Sequence, residues 1–232
     1  MKKLRVLIID DERMARQEIK RLLDPYADVE IIGEAKNADE AILQIEQKHP
    51  DLLFLDIQMP GQSGFDLLES LTDVPEVIFT TAFDEYAVKA FEVNALDYLM
   101  KPIRGERFAQ AMERVRQKLS AQTIDPQIFV KDRQQYHFIR WSKVHLIESM
   151  DNYARLYFEG KNVFLKSSLN QLEEKLDTNI FFRINRSQII NMQFIKKINI
   201  NPNGRLQISM QTGEELEASD RQSVKLKSMG RI

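Results

Sequence analysis

The sequence predicts two domains of different fold class: a doubly wound (βα)5 parallel sheet and, after it, a mainly antiparallel β domain. In the first half, short apolar runs alternate with longer amphipathic segments, which is typical of a parallel sheet covered by helices on both faces. In the second half, apolar residues recur at every second position, which is typical of half-buried strands. The length of 232 residues suits two cores, of roughly 100–130 residues each, better than one.

The elements of the first half follow one another regularly. Each predicted strand is a short, mainly apolar run, and these runs lie at 5–9, 29–34, 52–56, 77–81 and 98–100. Each predicted helix has apolar residues three and four positions apart, as Ile19, Leu22 and Leu23 are in the first helix. The helices are predicted at 14–23, 38–48, 65–71, 86–93 and 108–119. Ligands of such sheets bind beyond the carboxyl ends of the strands.

The second half begins after a linker. Residues 120–126 lack apolar periodicity and include Asp125-Pro126, which separates a domain at 1–119 from one at 127–232. We expect Ser168 to cap a helix that ends near Leu176 and a last short helix to start at Ser219. The Asn203-Gly204 pair favours a hairpin turn between the last two predicted strands. The strands are predicted at 128–130, 136–141, 144–149, 153–158, 163–166, 194–200 and 206–210.

The composition excludes several classes of function. The chain has no Cys, which excludes disulfides, thiolate metal sites and Cys nucleophiles. His49, His137 and His145 match no metal-binding spacing, so we expect no His-based zinc site. No apolar run approaches the ~18–20 residues of a membrane helix. The opening segment is too short and too acidic for a signal peptide, so we expect a cytoplasmic protein without membrane association.

The formal net charge of −2 is the sum of two opposite charges. Residues 1–120 contain 16 Lys and Arg against 23 Asp and Glu, a net charge of −7. Residues 121–232 contain 17 against 12, a net charge of +5. An acidic half joined to a basic half suggests a different partner for each.

Charged residues follow three of the predicted strands in the first half. Asp10 and Asp11 follow the first strand, Asp56 ends the third, and Lys101 follows the fifth. Because the carboxyl ends of parallel strands meet at one edge of the sheet, we expect these side chains to lie close together. Three carboxylates there repel one another, so either one takes up a proton or a hard divalent cation such as Mg²⁺ neutralises them.

Thr81, at the end of the fourth strand, adds a hydroxyl group to this edge. A carboxylate beside a divalent cation and an ammonium group can accept a phosphoryl group, because the two cations neutralise its oxygens while Asp56 attacks in line. Each acid alone fits an ordinary helix cap or loop acid. The whole set, with its members at different strand ends, favours a phosphoryl-acceptor site.

These residues also support a family resemblance. Residues 3–119 resemble the receiver domain of two-component response regulators, in the stretches LIIDDE and FLDIQMPGQSG and in the Thr81-Ala82 and Lys101-Pro102 pairs. The resemblance implies that Lys101 binds the phosphoryl group and that Pro102 follows a cis peptide bond. It also implies that Asp56 is the phosphorylated residue. The implied Mg²⁺ ligands are Asp10, Asp11, Asp56 and the backbone carbonyl of Gln58.

The resemblance implies an activation switch as well. Tyr98, three residues before Lys101, matches the aromatic position that turns inward together with a threonine when such a domain is activated. Thr80 and Thr81 are adjacent, and the Thr-Ala pairing favours Thr81.

Residues 127–230 resemble the LytTR DNA-binding domain, a mostly β module attached to receivers in the LytR/AlgR class of bacterial regulators. The matching stretches are VHLIESMDNYARLYF, KSSLNQLEEKL, FFRINRSQIINMQFIKKI and GEELEASDRQSVKLK. In this family a histidine is common where the chain has Asn185, which changes the expected base preference at that contact. The resemblance implies that loops and turns bind the DNA.

The candidate DNA contacts lie in the 151–155 turn, the 185–187 loop and at the start of the last helix. Arg186 and Arg221 have the fork that bonds guanine, and Asn152 and Asn185 have the amide that reads adenine. Lys166 and Arg183 are expected to contact phosphates, as are Lys196 and Lys225. Besides Lys196 and Lys225, the candidate DNA-contact residues are Asn152, Tyr153, Arg155, Lys166, Arg183, Asn185, Arg186, Ser187 and Arg221.

Two functions fit these features. In the first, a sensor histidine kinase phosphorylates Asp56, and the basic domain binds promoter DNA as a homodimer to regulate transcription. In the second, the protein is a phosphorelay switch whose basic domain binds an acidic protein or RNA. The second half has no catalytic constellation, so we expect no enzyme activity beyond the receiver's handling of its own phosphoryl group.

Overall fold

The computed structural model describes residues 3–71, 73–82, 95–120, 126–132 and 135–229. The contacts between residues divide the chain into a first unit, 1–140, and a second unit, 141–232. The helix predicted at 86–93 lies outside the described residues.

The described residues of the first unit form a parallel sheet flanked by helices, as predicted. The strands are β1 (Leu4–Ile9), β2 (Val29–Ala35), β3 (Leu52–Asp56), β4 (Glu76–Thr81) and β5 (Asp97–Met100). The helices are α1 (Arg13–Leu23), α2 (Ala38–Lys48), α3 (Gly64–Ser70) and α4 (Gly105–Ser120). The strand order is β2-β1-β3-β4-β5, and every neighbouring pair is parallel. This order makes β1 and β3 neighbours near the middle of the sheet.

Each face of this sheet has its own core. Because side chains alternate along a strand, Leu53 and Phe79 pack with α2 and α3 on one face. Phe54 and Ile78 pack with α1 and α4 on the other. All residues of β3 are buried, which explains its continuous apolar run.

Side-chain caps fix the starts of several helices. Asn37 accepts a hydrogen bond from the backbone N–H of Glu40 at the start of α2. Ser63 and Asp66 form a reciprocal capping box at the start of α3. These contacts satisfy N–H groups that have no partner within the helix.

A hairpin that the sequence assigns to the second domain packs within the first unit instead. Its strands are β6 (Gln127–Asp132) and β7 (Gln135–Arg140). Phe129 is buried in the core of the first unit, and the backbone N–H of Val74 donates to the carbonyl of Gln127 over 2.8 Å. Arg140 forms an ion pair of 3.0 Å with Glu76. The predicted boundary before residue 127 therefore differs from the observed division between Arg140 and Trp141, because aromatic packing joins the hairpin to the first unit.

The second unit is mainly antiparallel, as predicted. A five-stranded sheet has the order β10-β9-β8-β12-β11, and a three-stranded sheet has the order β13-β14-β15. The strands are β8 (Val144–Met150), β9 (Tyr153–Phe158), β10 (Lys161–Leu165), β11 (Phe181–Arg183), β12 (Gln188–Asn191), β13 (Ile195–Ile200), β14 (Leu206–Met210) and β15 (Glu215–Glu217). The helices are α5 (Leu169–Lys175), which Ser168 caps with Gln171, and α6 (Asp220–Ser228), which follows Ser219.

The strands β11, β12 and β15 have no counterpart among the predicted strands. They are three or four residues long, so their alternation is too short to detect in the sequence. They are defined by their pairing: β11 pairs with β12, β12 with β8, and β15 with β14. No helix in the described part of the chain is long and apolar enough to cross a membrane.

Candidate functional site

The predicted acid cluster forms at the carboxyl edge of the parallel sheet. Asp10 and Asp11 follow β1, and Asp56 is the last residue of the neighbouring strand β3. One carboxylate oxygen from each of the three lies within 4.8 Å of the others. Asp10 and Asp56 are buried, and Asp11 is exposed beside them. The three acids and Lys101 thus lie together, as the strand-end spacing predicts.

Lys101 bridges the two buried acids. Its Nζ lies 2.7 Å from Oδ2 of Asp10 and 2.7 Å from Oδ2 of Asp56. Burial raises the pKa of both carboxyl groups, although Lys101 opposes the shift. Burial acts to lower the pKa of Lys101, but its contacts with the two acids outweigh that effect and raise it. Either a proton or a further cation would therefore relieve the remaining negative charge of the two buried carboxylates.

Backbone hydrogen bonds orient the acids. The N–H of Glu12 donates to Oδ1 of Asp10 over 2.9 Å, and the N–H of Gln58 donates to Oδ1 of Asp56 over 3.1 Å. Arg16 donates to the carbonyl oxygens of Asp10 at 2.7 Å and Asp11 at 3.2 Å. Sequence reasoning missed Arg16, whose position in the first turn of α1 is its only sequence signal.

The oxygen atoms at this edge suit Mg²⁺. Oδ2 of Asp10 is buried, and Nζ of Lys101 lies 2.7 Å from it. Asp11 and Asp56 line a cavity of about 600 Å³ together with Gln58 and Lys101. Carboxylate and carbonyl oxygens with room for water are the surroundings that Mg²⁺ prefers. The residues present therefore fit the ion.

The two candidate switch threonines face opposite sides of the sheet. Phe79 and Tyr98 belong to one core, and alternation along β4 puts Thr81 on their side. Thr80 lies on the other side and pairs in register with Asp56. Both threonines are fully buried. The alternation favours Thr81 as the residue that works with Tyr98. The Lys101–Pro102 peptide bond is cis, as the family resemblance implies.

In the second unit, two of the predicted DNA-contact arginines are exposed and lie around one cleft. Arg186 lies in the loop between β11 and β12, and Arg221 lies in the first turn of α6. Within the residues that the structure describes, neither guanidinium group has a hydrogen-bond or ion-pair partner. Both line a cleft of about 340 Å³, together with Lys225. This cleft is the candidate nucleic-acid interface.

Arg183 and Asn185 line the same cleft but make many contacts within the protein. The Arg183 side chain is 17% exposed and is paired with Glu173. The Asn185 amide bonds to Gln188, Ser187 and the carbonyl of Glu217. The sequence predicts instead that Arg183 contacts a DNA phosphate and that Asn185 contacts an adenine edge.

Among the remaining candidates, Ser187 follows Arg186 in the loop between β11 and β12, whereas Asn152, Tyr153, Arg155 and Lys166 lie in or next to β9 and β10. Asn152 and Tyr153 are exposed at the β8–β9 turn, where Asp151 has a φ of 52°. Arg155 donates to Oδ1 of Asn162 over 3.0 Å and lies over the rings of Tyr157 and Phe164. Lys166 and Ser187 are exposed. None of these residues lines the cleft that Arg186 and Arg221 line.

Two family models match the chain. The response regulator receiver domain matches residues 6–113, and the LytTR DNA-binding domain matches residues 134–231. The chain is 37% identical to the transcriptional regulatory protein BtsR of Salmonella typhi over 239 residues, which cover 97% of this chain and 98% of that protein. It is 31% identical to the sensory transduction protein LytT of Enterococcus faecalis, covering 93% of this chain and 94% of that protein.

Among solved structures, the response regulatory domain of protein mrkE from Klebsiella pneumoniae matches with 30% identity and a TM-score of 0.47. That match covers 51% of this chain and 99% of the mrkE chain.

The parallel sheet with its acid cluster, followed by a mainly β DNA-binding module, defines a response regulator of a two-component system. More specifically, the chain belongs to the response regulators that join a receiver domain to a LytTR DNA-binding domain. Regulation of transcription is the role of this class.

Proposed function

We propose that a sensor histidine kinase phosphorylates this protein on Asp56 and that the phosphorylated protein binds promoter DNA through its LytTR domain. The observation that carries the proposal is the position of Lys101, whose Nζ lies 2.7 Å from both Asp10 and Asp56. A cation in that position neutralises charge on an incoming phosphoryl group. Asp56, at a strand end and beside a cavity, is the acceptor.

The chemistry assigns a task to each side chain. A carboxylate oxygen of Asp56 attacks phosphorus, a new P–O bond forms, and the P–N bond to the kinase histidine breaks. Lys101 then binds an oxygen of the phosphoryl group. Mg²⁺, when bound by Asp10, Asp11, Asp56 and the carbonyl of Gln58, neutralises further negative charge. Arg16 holds the backbone of the acid pair throughout.

Phosphorylation adds about 1.5–2 negative charges at the acid cluster. Through Thr81 and Tyr98 this charge biases an equilibrium between an inactive and an active receiver. A shift from mostly inactive to mostly active takes several kcal/mol, on the order of 5 for a change from 1% to 99%. Dimerisation on paired DNA half-sites amplifies the response, so we infer a homodimer in the phosphorylated or DNA-bound state.

Phosphoryl uptake tests the receiver part of the proposal. The unmodified protein is expected to take up a phosphoryl group from a small-molecule donor with Mg²⁺ present, and EDTA to prevent it. Asp56→Asn removes the nucleophile and should abolish uptake. Asp39→Asn, which changes an exposed acid in the first turn of α2, should not. Labelling of the Asp56→Asn protein would overturn the assignment.

Selective DNA binding tests the output. Genomic fragments retained by the phosphorylated protein, mapped by footprinting, should give one preferred duplex. At fixed salt that duplex should bind more tightly than random duplex, and affinity should fall steeply as salt rises. Equal affinity for any polyanion would instead support the alternative, a switch whose basic domain binds an acidic protein or RNA.

A further inference from the structure

The 184–187 loop between β11 and β12 has a complete set of backbone acceptor contacts. The carbonyl of Ile184 accepts from the N–H of Ser219 over 2.9 Å, and the carbonyl of Ser187 accepts from the N–H of Ser149 over 2.8 Å. The two carbonyls between them, of Asn185 and Arg186, both accept from the guanidinium group of Arg183, at 3.1 and 3.0 Å. Arg183 is thus the common donor for the middle of the loop.

The same guanidinium group is fixed on its other side by α5. It donates to Oδ1 of Asn170 over 2.6 Å and to Oε2 of Glu173 over 2.9 Å. Four of the five N–H groups of Arg183 are therefore used within the protein. The planar fork of arginine makes such a two-sided arrangement, which the single ammonium group of lysine does not reproduce.

The Asn185 side chain is equally engaged. Its Nδ2 donates to Oε1 of Gln188 at 2.8 Å and to the carbonyl of Glu217 at 3.1 Å. Its Oδ1 accepts from the N–H and the hydroxyl of Ser187 at 2.9 and 3.0 Å. Both donors and both acceptor positions of the amide are occupied, so none remains for an adenine edge.

The loop is thus built before any ligand arrives, and Arg186 is the basic side chain that it exposes. Ile184 is fully buried and anchors one end. A side chain presented by a rigid loop loses less conformational freedom on binding, which strengthens and sharpens recognition.

We propose that Arg183 is a positioning residue: with Asn170 and Glu173 it holds the 184–187 loop in the conformation that presents Arg186 to DNA, and it does not itself bind a phosphate. This inference rests on the proposed DNA binding of the LytTR domain. Arg183 thereby changes from a phosphate contact, as the sequence predicts, to a residue that positions the loop. The acidic Glu173 contributes to the basic cleft by holding Arg183 in place.

Replacement of Glu173 gives the sharpest test, because the two roles of Arg183 predict opposite signs. If Arg183 contacts a phosphate, Glu173→Ala removes a competing negative charge and should tighten binding to any duplex. If Arg183 positions the loop, Glu173→Ala should weaken binding to the preferred duplex by about tenfold, the loss expected for one arginine–base contact. Binding to random duplex should stay within about twofold of the unmodified protein.

Glu174→Ala is the matched control. Glu174 is the next residue of α5, is exposed, and has no hydrogen-bond or ion-pair partner among the described residues. Its replacement removes the same charge from the same helix. It should leave the preference for the specific duplex unchanged.

Arg183→Lys separates charge from geometry. If Arg183 contacts a phosphate, Arg183→Lys should keep that contact. In that case Arg183→Ala should reduce the slope of log K against log salt by about 0.9. A positioning role predicts that Arg183→Lys loses the duplex preference as Arg183→Ala does, with an unchanged slope for random duplex. Equal preference in the unmodified and Arg183→Lys proteins, or tighter binding after Glu173→Ala, would overturn the inference. If the unmodified protein shows no preferred duplex, the proposed function fails instead.

Discussion

The ring of Tyr136 stacks on the ring of Phe65, with centroids 4.8 Å apart and planes inclined by 15°. Phe129 extends the stack at 5.3 Å from Tyr136. Phe65 is the second residue of α3, which begins just after the loop that follows Asp56, the proposed phosphoacceptor. Tyr136 also lines a cavity with Asp11 and with several residues of that loop, among them Gln58. The β6–β7 hairpin is therefore structurally a part of the receiver unit, on the side of the 57–63 loop that follows Asp56.

We expect Tyr136→Ala to destabilise the first unit. The change removes two stacked aromatic contacts and part of a core, which costs about 2–3 kcal/mol of unfolding free energy for a half-buried ring. Urea denaturation of the full chain measures this change in the free energy of unfolding. Tyr153→Ala removes a ring that is 46% exposed and should change stability by less than about 0.5 kcal/mol. Equal stability of the two variants would show that the hairpin is not held by this stack.

Gly64 lies at a point of close backbone approach. A methyl group there would collide with the carbonyl oxygen of Asp56 and crowd the side chain of Leu55. We expect Gly64→Ala to cost about 1–3 kcal/mol and to slow phosphoryl uptake by displacing Asp56. Gly105→Ala, also at the first position of a helix, meets no atom within 4 Å and should be neutral. Thermal melting and uptake rates compare the two, and a neutral Gly64→Ala would contradict the expectation.

Glu34 gives a pH-dependent contribution to stability. Although burial acts to raise its pKa, Lys20 and Arg16 hold the pKa of Glu34 below its ordinary value. The folded protein therefore stabilises the ionised form. That contribution is present above the pKa of the unfolded chain and is lost as pH falls through the lower pKa of the folded state.

We thus expect Glu34→Gln to destabilise the protein by about 0.5–1 kcal/mol at neutral pH and low salt, since the pair is partly exposed. The loss should shrink as pH falls below the usual glutamate range and as salt rises. Glu30→Gln, at an exposed position of the same strand, is the control and should change stability by less than about 0.5 kcal/mol. Melting curves across pH distinguish them, and a loss that is constant with pH would speak against the ion pairs.

Arg186 and Arg221 are expected to make the base contacts. Replacing either by Ala should weaken binding to the preferred duplex by about 1–3 kcal/mol and relax selectivity at one base position. Arg205 is the control, because its guanidinium group is already paired with Asp220 at 2.8 Å and Glu217 at 2.9 Å. Arg205→Ala should leave the footprint unchanged. Unchanged footprints for both Arg186→Ala and Arg221→Ala would show that the DNA-binding surface lies elsewhere.

Much of the acid site could be predicted because parallel strands align their carboxyl ends. Asp10, Asp56 and Lys101 each follow a recognisable apolar run, so their meeting at one edge follows from topology alone. The support from Arg16 could not be predicted in the same way. A basic residue in the first turn of a helix is common, and only the fold turns its guanidinium group towards the carbonyls of Asp10 and Asp11.

The roles of the residues in the basic cleft could be predicted from the sequence less well than those in the acid site. Sequence reasoning gives both arginines a direct contact with DNA, guanine for Arg186 and a phosphate for Arg183. The sequence alone does not show which side chains lie beside either guanidinium group. The partners Asn170 and Glu173 lie on a helix 13 and 10 residues earlier in the chain. Folding brings them to Arg183 and leaves Arg186 exposed.

The sequence by itself determined the parallel sheet, the mainly antiparallel second half and the acid cluster, because apolar periodicity and strand-end position are local properties of the chain. The tertiary structure decided which unit holds the β6–β7 hairpin, which threonine shares the face of Tyr98, and which arginine is engaged within the protein. Each of these depends on contacts between residues far apart in sequence, such as Phe65 with Tyr136, and no local pattern encodes them.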